Sequence, residues 1–204
     1  MNQMNQQKIV KNLLNQMKQR VIGDYLHTSA IFDENFNDWS STFAQILLYE
    51  GDHNAPAAEM AAFEFDADNT PWNFSLRDND AADYAAASHS IYANKGKSDD
   101  WMSTPQLYIP DDKCVLTFDA QTLDNTGDKL KVVIWENKEV INTLTDRVME
   151  DYRANAKVIM DKELKSGGSQ TLAGEWEHFA FELAEYAGKE IYIGFVNENE
   201  NKGM

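Results

Sequence analysis

Along most of this chain apolar and polar residues alternate with a period of two. Leu116, Phe118 and Ala120 fall on one side of a segment whose other side is Thr117 and Asp119, and Phe179, Phe181 and Leu183 alternate with His178, Ala180 and Glu182. Such alternation predicts half-buried antiparallel strands. Leu130 to Trp135 and Ile191 to Val196 are apolar at nearly every residue, the pattern of inner strands covered on both faces. Turn residues separate these runs at Asp111-Asp112, Asn125-Thr126-Gly127-Asp128, Gly167-Gly168-Ser169 and Gly174. Short strands with regular turns predict an antiparallel β-sandwich. Ahead of Ile31 the period changes. Ile9, Val10, Leu13, Leu14, Met17 and Val21 recur at spacings of three and four, which predicts a short amphipathic helix over residues 7–22, ended by Gly23. Asp146 to Asn155 has the pattern of two helical turns capped by Thr145, with Val148, Met149 and Tyr152 on one side, and reads as a loop insertion. Phe43 to Asp66 mixes a short helix and a strand without a clear register.

At 204 residues the chain is long enough for one sandwich with a sizeable core. The division expected is a helical segment or linker at residues 1–26 and one β-sandwich domain at 27–204. Net charge is −16, distributed unevenly: residues 1–26 carry four basic side chains and one acidic, a local +3. A body this acidic repels phosphate backbones, which argues against a nucleic-acid partner. No apolar run approaches the ~18 residues of a membrane span. The single cysteine, Cys114, excludes an internal disulfide and sits in an apolar strand as a small buried side chain.

Catalytic signatures are missing from the sequence: it contains no G-x-S-x-G, H-E-x-x-H, glycine-rich phosphate loop or Cys-x-x-Cys. His27, His53, His89 and His178 stand in four unrelated contexts. Glu175 and Glu177 flank Trp176 on one strand face, where an acid/base pair is geometrically allowed, although a chain this acidic places carboxylates side by side by chance. Oxygen-rich clusters suited to calcium occur at Asp33-Glu34, Asp66/Asp68/Asn69, Asp78-Asn79-Asp80 and Asn197-Glu198-Asn199. None is an EF-hand: Pro71 and Arg77 spoil the loop starting at Asp66, and Asp83 replaces the required glycine in the loop starting at Asp78.

Two motifs carry a family resemblance. Ser98-Asp99-Asp100-Trp101-Met102-Ser103-Thr104-Pro105 and Leu183-Ala184-Glu185-Tyr186-Ala187-Gly188-Lys189-Glu190-Ile191-Tyr192-Ile193-Gly194-Phe195-Val196-Asn197 resemble the choice-of-anchor J and cleaved-adhesin domains of Bacteroidota envelope proteins. The resemblance runs from about Ile31 to Met204. It implies a mainly β, jelly-roll sandwich acting as a non-catalytic adhesin-like binding module, with a glycan or surface protein as ligand. The implied location is the cell envelope or the exterior, with a leader outside this sequence, since Met1 to Gln7 lack the features of a secretory peptide. The resemblance also implies a structural calcium near an acidic residue that precedes an aromatic, a slot filled by Phe32-Asp33-Glu34-Asn35-Phe36, so Asp33 and Glu34 are the expected metal ligands. The resemblance implies that Trp39 and Trp101 pack the core or anchor a loop, and Trp135 ends a buried strand, leaving Trp72 and Trp176 as the expected ligand-stacking platforms. The family's closing strand is expected beyond Met204, and a sandwich without it would present an edge open to self-association. The alternatives are a structural domain of a larger envelope lipoprotein, or an accessory domain of a protease or glycan-degrading enzyme.

Overall fold

The computed structural model describes residues 30–37, 43–55, 57, 71–76, 84–94, 96–122, 128–166 and 174–200. The helix expected over residues 7–22, Trp39 and the acidic clusters at 66–69 and 78–80 lie outside them. The described residues are mainly β. In chain order they form β1 (Leu47–Glu50), β2 (Asn73–Leu76), β3 (Tyr84–Ala87), β4 (Asp100–Ser103), β5 (Leu107–Tyr108), β6 (Val115–Ala120), β7 (Lys129–Glu136), α1 (Asp146–Asn155), β8 (Lys157–Glu163), β9 (Glu177–Glu182) and β10 (Glu190–Asn197). Every strand pairing among them is antiparallel. One six-stranded sheet runs β1-β4-β10-β7-β8, with β5 also on β10; β2-β3 and β6-β9 form two-stranded sheets. The jelly-roll wiring expected from the motifs depends on connections through residues 38–42, 58–70 and 77–83, outside the described residues.

Register explains why β7 and β10 are apolar throughout. Phe195 lies between Met102 of β4 and Val132 of β7, and Val196 pairs with Trp101. With a side-chain period of two, Ile191, Ile193 and Phe195 join one cluster while Tyr192 and Val196 join another on the opposite face. The first cluster also contains Leu116, Phe118 and Ala120 of β6, with Phe179 and Phe181 of β9 packed against it. The ring of Phe118 meets Phe195 edge-on at 5.3 Å and stacks on Phe179 at 5.0 Å, so the β6-β9 pair covers this face of the large sheet. Cys114 is free and buried here, as expected.

The opposite face is closed by α1. Thr145 caps it, its hydroxyl accepting from the Val148 N–H, and Met149 and Tyr152 are fully buried. The helix boundaries and buried face match the sequence reading, but the segment is a cover for the sheet, not an insertion on a loop. Tyr152 stacks on Trp135 at 4.5 Å, tilts against Trp101 at 5.3 Å and shares a 3.0 Å hydrogen bond with Ser103. It lies over Gly194, where a Cβ would sit 2.8 Å from the tyrosine hydroxyl and 2.9 Å from Val133 Cγ2. The glycine is therefore required by the close approach of the helix, not by backbone conformation.

The Thr-Pro step between β4 and β5 has an equally local reason. Pro105 has no N–H to give to a ladder. Across the break Thr104 donates its N–H to the Ile193 carbonyl at 3.0 Å, while its hydroxyl accepts the Ile193 N–H at 3.0 Å. β10 thus keeps its hydrogen bonds although its neighbour changes from β4 to β5. Being flanked on both sides, β10 is an interior strand; among the described residues the path of the large sheet ends at β1 and β8.

Gly194→Ala is expected to destabilise the protein by about 1–3 kcal/mol through overpacking beneath Tyr152. Urea unfolding followed by tryptophan fluorescence will measure it, and pairing with Tyr152→Phe will recover part of the loss if the hydroxyl contact is its source.

Candidate functional site

At one end of the large sheet the register sets two acidic residues side by side. Glu50, the last residue of β1, pairs with Asp100, the first of β4, and Asp100 pairs on its other side with Asn197 of β10. Asp52, in the loop after β1, completes a group in which one carboxylate oxygen from each of Glu50, Asp52 and Asp100 lies within 4.8 Å of the others. This geometry can hold a metal ion. Like charges directly opposite on a sheet are unfavourable; at 4.8 Å and an effective dielectric of about 20, each ionised pair repels by about 3 kcal/mol.

The loop itself is tied to these carboxylates. Gly51 donates to the Asp99 carbonyl, and the N–H groups of Asp52 and His53 both donate to Glu50 Oε1. His53 is held at φ +54, a left-handed conformation that costs a non-glycine residue energy and persists because these bonds over-determine it. Asp52 accepts from Asn54 N–H through one oxygen and from Asp99 N–H and the Tyr92 hydroxyl through the other. Asp100 is only 3% exposed; its Oδ2 accepts from Ser88 Oγ at 3.0 Å, and its Oδ1 has no hydrogen-bond partner. Burial first, then the charges of Glu50 and Asp52, push its carboxyl up to about 10. Burial also raises Glu50, helped by Asp52. As a bare set of carboxylates, Asp100 is the member that takes a proton.

Ser88 links this cluster to a second feature. Asn197 donates to Ser88 Oγ at 2.8 Å and to the His89 carbonyl at 3.1 Å, while Ser90 donates to Asn197 Oδ1. Ser88 and Asn197 also line a small half-open hollow with Trp72, Gln121, Thr122 and Leu130. Trp72 Nε1, Gln121 Oε1 and Thr122 Oγ1 are buried without hydrogen-bond partners among the described residues.

Residues 1–58 match a protein family described as the dehydratase large subunit. No curated protein matches the chain. The match runs from Met1 through β1 to the loop carrying Asp52 and His53. It overturns the choice-of-anchor J and cleaved-adhesin assignment, and with it the reading of the chain as a non-catalytic cell-surface adhesin that is no enzyme: the matched segment resembles an enzyme component. The physical reason for the earlier assignment lies in the fold. Trp101 and Met102 fill opposite faces of a sheet, Thr104-Pro105 bridges a strand break, and Tyr186-Ala187-Gly188 forms a tight turn with Gly188 at φ +74. These are requirements of antiparallel architecture and carry no information about adhesion.

The residues singled out from the sequence are scattered. Asp33 is exposed and Glu34 is buried, its Oε1 accepting the Phe36 N–H at 2.6 Å while Oε2 has no partner; neither belongs to the acidic group that the described residues bring together. Trp72 is 1% exposed and packs in the main core, so its indole face is not open to solvent, although it borders the hollow. Trp176 is half-buried beside β9. In the Asn197-Glu198-Asn199 cluster, Asn197 serves the buried network, Glu198 pairs with Lys131 and Lys97, and Asn199 bonds Lys129. Glu177 is buried and pairs with Lys162 of β8 while accepting the Lys165 N–H at 2.7 Å; Glu175 is exposed. Burial alone would raise the Glu177 carboxyl, but the Lys162 ammonium and the Lys165 N–H outweigh it and hold the group below its ordinary value. Glu198 is likewise held low by Lys131 against the effect of burial. A carboxylate kept ionised in this way is a poor general acid, which removes Glu175/Glu177 as an acid/base pair.

Because both carboxyls have lower pKa values folded than unfolded, their contribution to stability is complete above the ordinary carboxylate range near ~4.3 and is lost as pH falls through the folded values. Urea midpoints measured from pH ~6 down to ~3 are expected to fall for the wild type, and Glu177→Gln is expected to flatten part of that slope.

Proposed function

We propose that this chain is part of a multi-component enzyme of the dehydratase class, in which the β-sheet body is an accessory domain supporting the segment of residues 1–58. This takes up the accessory-domain alternative in place of adhesion. One observation carries it: the matched segment is built into the sheet. Its Leu47–Glu50 is the edge strand β1, paired along its length with β4, and Leu47 is buried in the cluster beneath α1. Glu50 and Asp52 from the matched segment meet Asp100 from outside it. A body joined to an enzymatic segment by a strand and a shared polar cluster is suited to orienting that segment. The cofactor class that an all-carboxylate donor set suits is a hard divalent cation such as calcium.

The test uses the full chain, tagged and purified from its native cell. A second polypeptide in fixed ratio is expected, together with elimination of water from a small hydroxylated substrate by the complex, followed as the dehydrated product. Leu47→Asp, which places a charge in the cluster under α1 and unseats β1, is expected to lower that activity at least ~tenfold. A chain that purifies alone and supports no elimination overturns the proposal.

A further inference from the structure

We propose that Glu50, Asp52 and Asp100 form a binding site for a calcium-type cation, which acts as a clasp between the loop after β1 and the start of β4. The inference rests on the calcium-class reading of the carboxylate donors and is independent of the enzyme assignment.

Three features point to a cation at this place. The first is the geometry, with an oxygen from each of three carboxylates within 4.8 Å of the others. The second is the state of Asp100. The residue is 3% exposed, one oxygen accepts from Ser88, Oδ1 receives no donor, and the side chain within hydrogen-bond reach of this carboxyl is that of Glu50, directly opposite, itself a carboxyl. A buried carboxylate oxygen with no donor demands either a proton or a positive charge.

The third is the distribution of counter-charges. Glu136, Glu177, Glu185 and Glu198 each pair with a lysine, and Asp99, next in sequence to Asp100, pairs with Arg153. Among the described residues no lysine or arginine pairs with Glu50, Asp52 or Asp100. Lys97, three positions before Asp100, pairs with Glu198, and Arg153 is taken by Asp99.

Several of these oxygens also accept from protein donors: Glu50 Oε1 takes two backbone N–H groups, Asp52 Oδ1 takes the Asn54 N–H, and Asp52 Oδ2 takes the Asp99 N–H and the Tyr92 hydroxyl. Such outer contacts orient ligands without neutralising them. The donor set contains no histidine or cysteine, which disfavours zinc and copper. Three carboxylates of unequal depth, able to bind through one oxygen or two and completed by water, suit calcium's irregular six to eight ligands better than magnesium's strict octahedron.

Titration calorimetry on the EDTA-stripped full chain, with calcium and magnesium chloride as probes, decides the matter alongside thermal melts. One calcium site is expected, with magnesium at least ~tenfold weaker, and a melting temperature that rises with calcium by mass action. Asp100→Asn keeps the shape, removes one charge and is expected to lose at least ~tenfold in calcium affinity. It should also abolish the calcium-dependent rise while leaving the melting temperature of the stripped protein about equal, since without the ion Asp100 is protonated and the amide stands in for that neutral carboxyl. A residue with only a packing role would lower that stripped melting temperature. Glu50→Gln, at a half-buried position, repeats the test should Asp100→Asn fail to fold. If the wild type binds no calcium, the clasp and the calcium-class reading both fail. If calcium binds equally to the wild type and both variants, the calcium-class reading survives and this site is wrong. Asp33→Asn is expected to bind as the wild type does.

Discussion

The structure depends on the double burial of β10. Its eight residues are paired to β4 and β5 on one side and to β7 on the other, and its faces belong to two separate apolar clusters. A strand in this position must satisfy every backbone group laterally and every side chain vertically. The requirement propagates outward. Thr104 has to replace a ladder bond at the Pro105 break, Gly194 has to make room for Tyr152, and α1 has to cover a face rich in aromatic rings. Phe118 and the β6-β9 pair close the other side.

Where β10 ends, apolar packing gives way to a polar row. Asn197 takes the next inward position after Phe195, and laterally it adjoins Asp100, which adjoins Glu50. The sheet therefore carries its apolar layers only as far as its last rung, and at that rung it gathers charge. Ser88 and Asn197 are shared between the acidic group and the hollow beside Trp72, so a charge change at Asp100 would reach the hollow through two hydrogen bonds.

How much of this could be read beforehand depended on whether the information was local. The faces of β6 and β9, the two-sided apolar character of β7 and β10, and the ends and buried side of α1 all follow from short-range periodicity and a capping threonine. The role of α1 did not, since only the aromatic surface beneath it distinguishes a cover from an insertion. The acidic group was also hidden. Glu50 and Asp52 are some fifty positions from Asp100, and only the β1-β4 register unites them. That register was illegible because residues 43–66 mix spacings, and Asp100 lay inside a motif whose tryptophan and methionine suggested packing alone. An acid at the end of one strand and an acid at the start of a candidate partner is the signal that was available. The functional inference went astray for a related reason: motifs that satisfy sheet geometry recur wherever that geometry does.

The position of β1 gives the molecule an uneven resistance to opening. As an edge strand of four residues it can detach by breaking one ladder, whereas β10 cannot leave without dismantling both neighbours. The segment resembling an enzyme is thus fastened to the least cooperative part of the sheet, the part expected to exchange its amide hydrogens first, well before global unfolding. Opening there would leave the centre of the sheet, built on β10 and β7, intact.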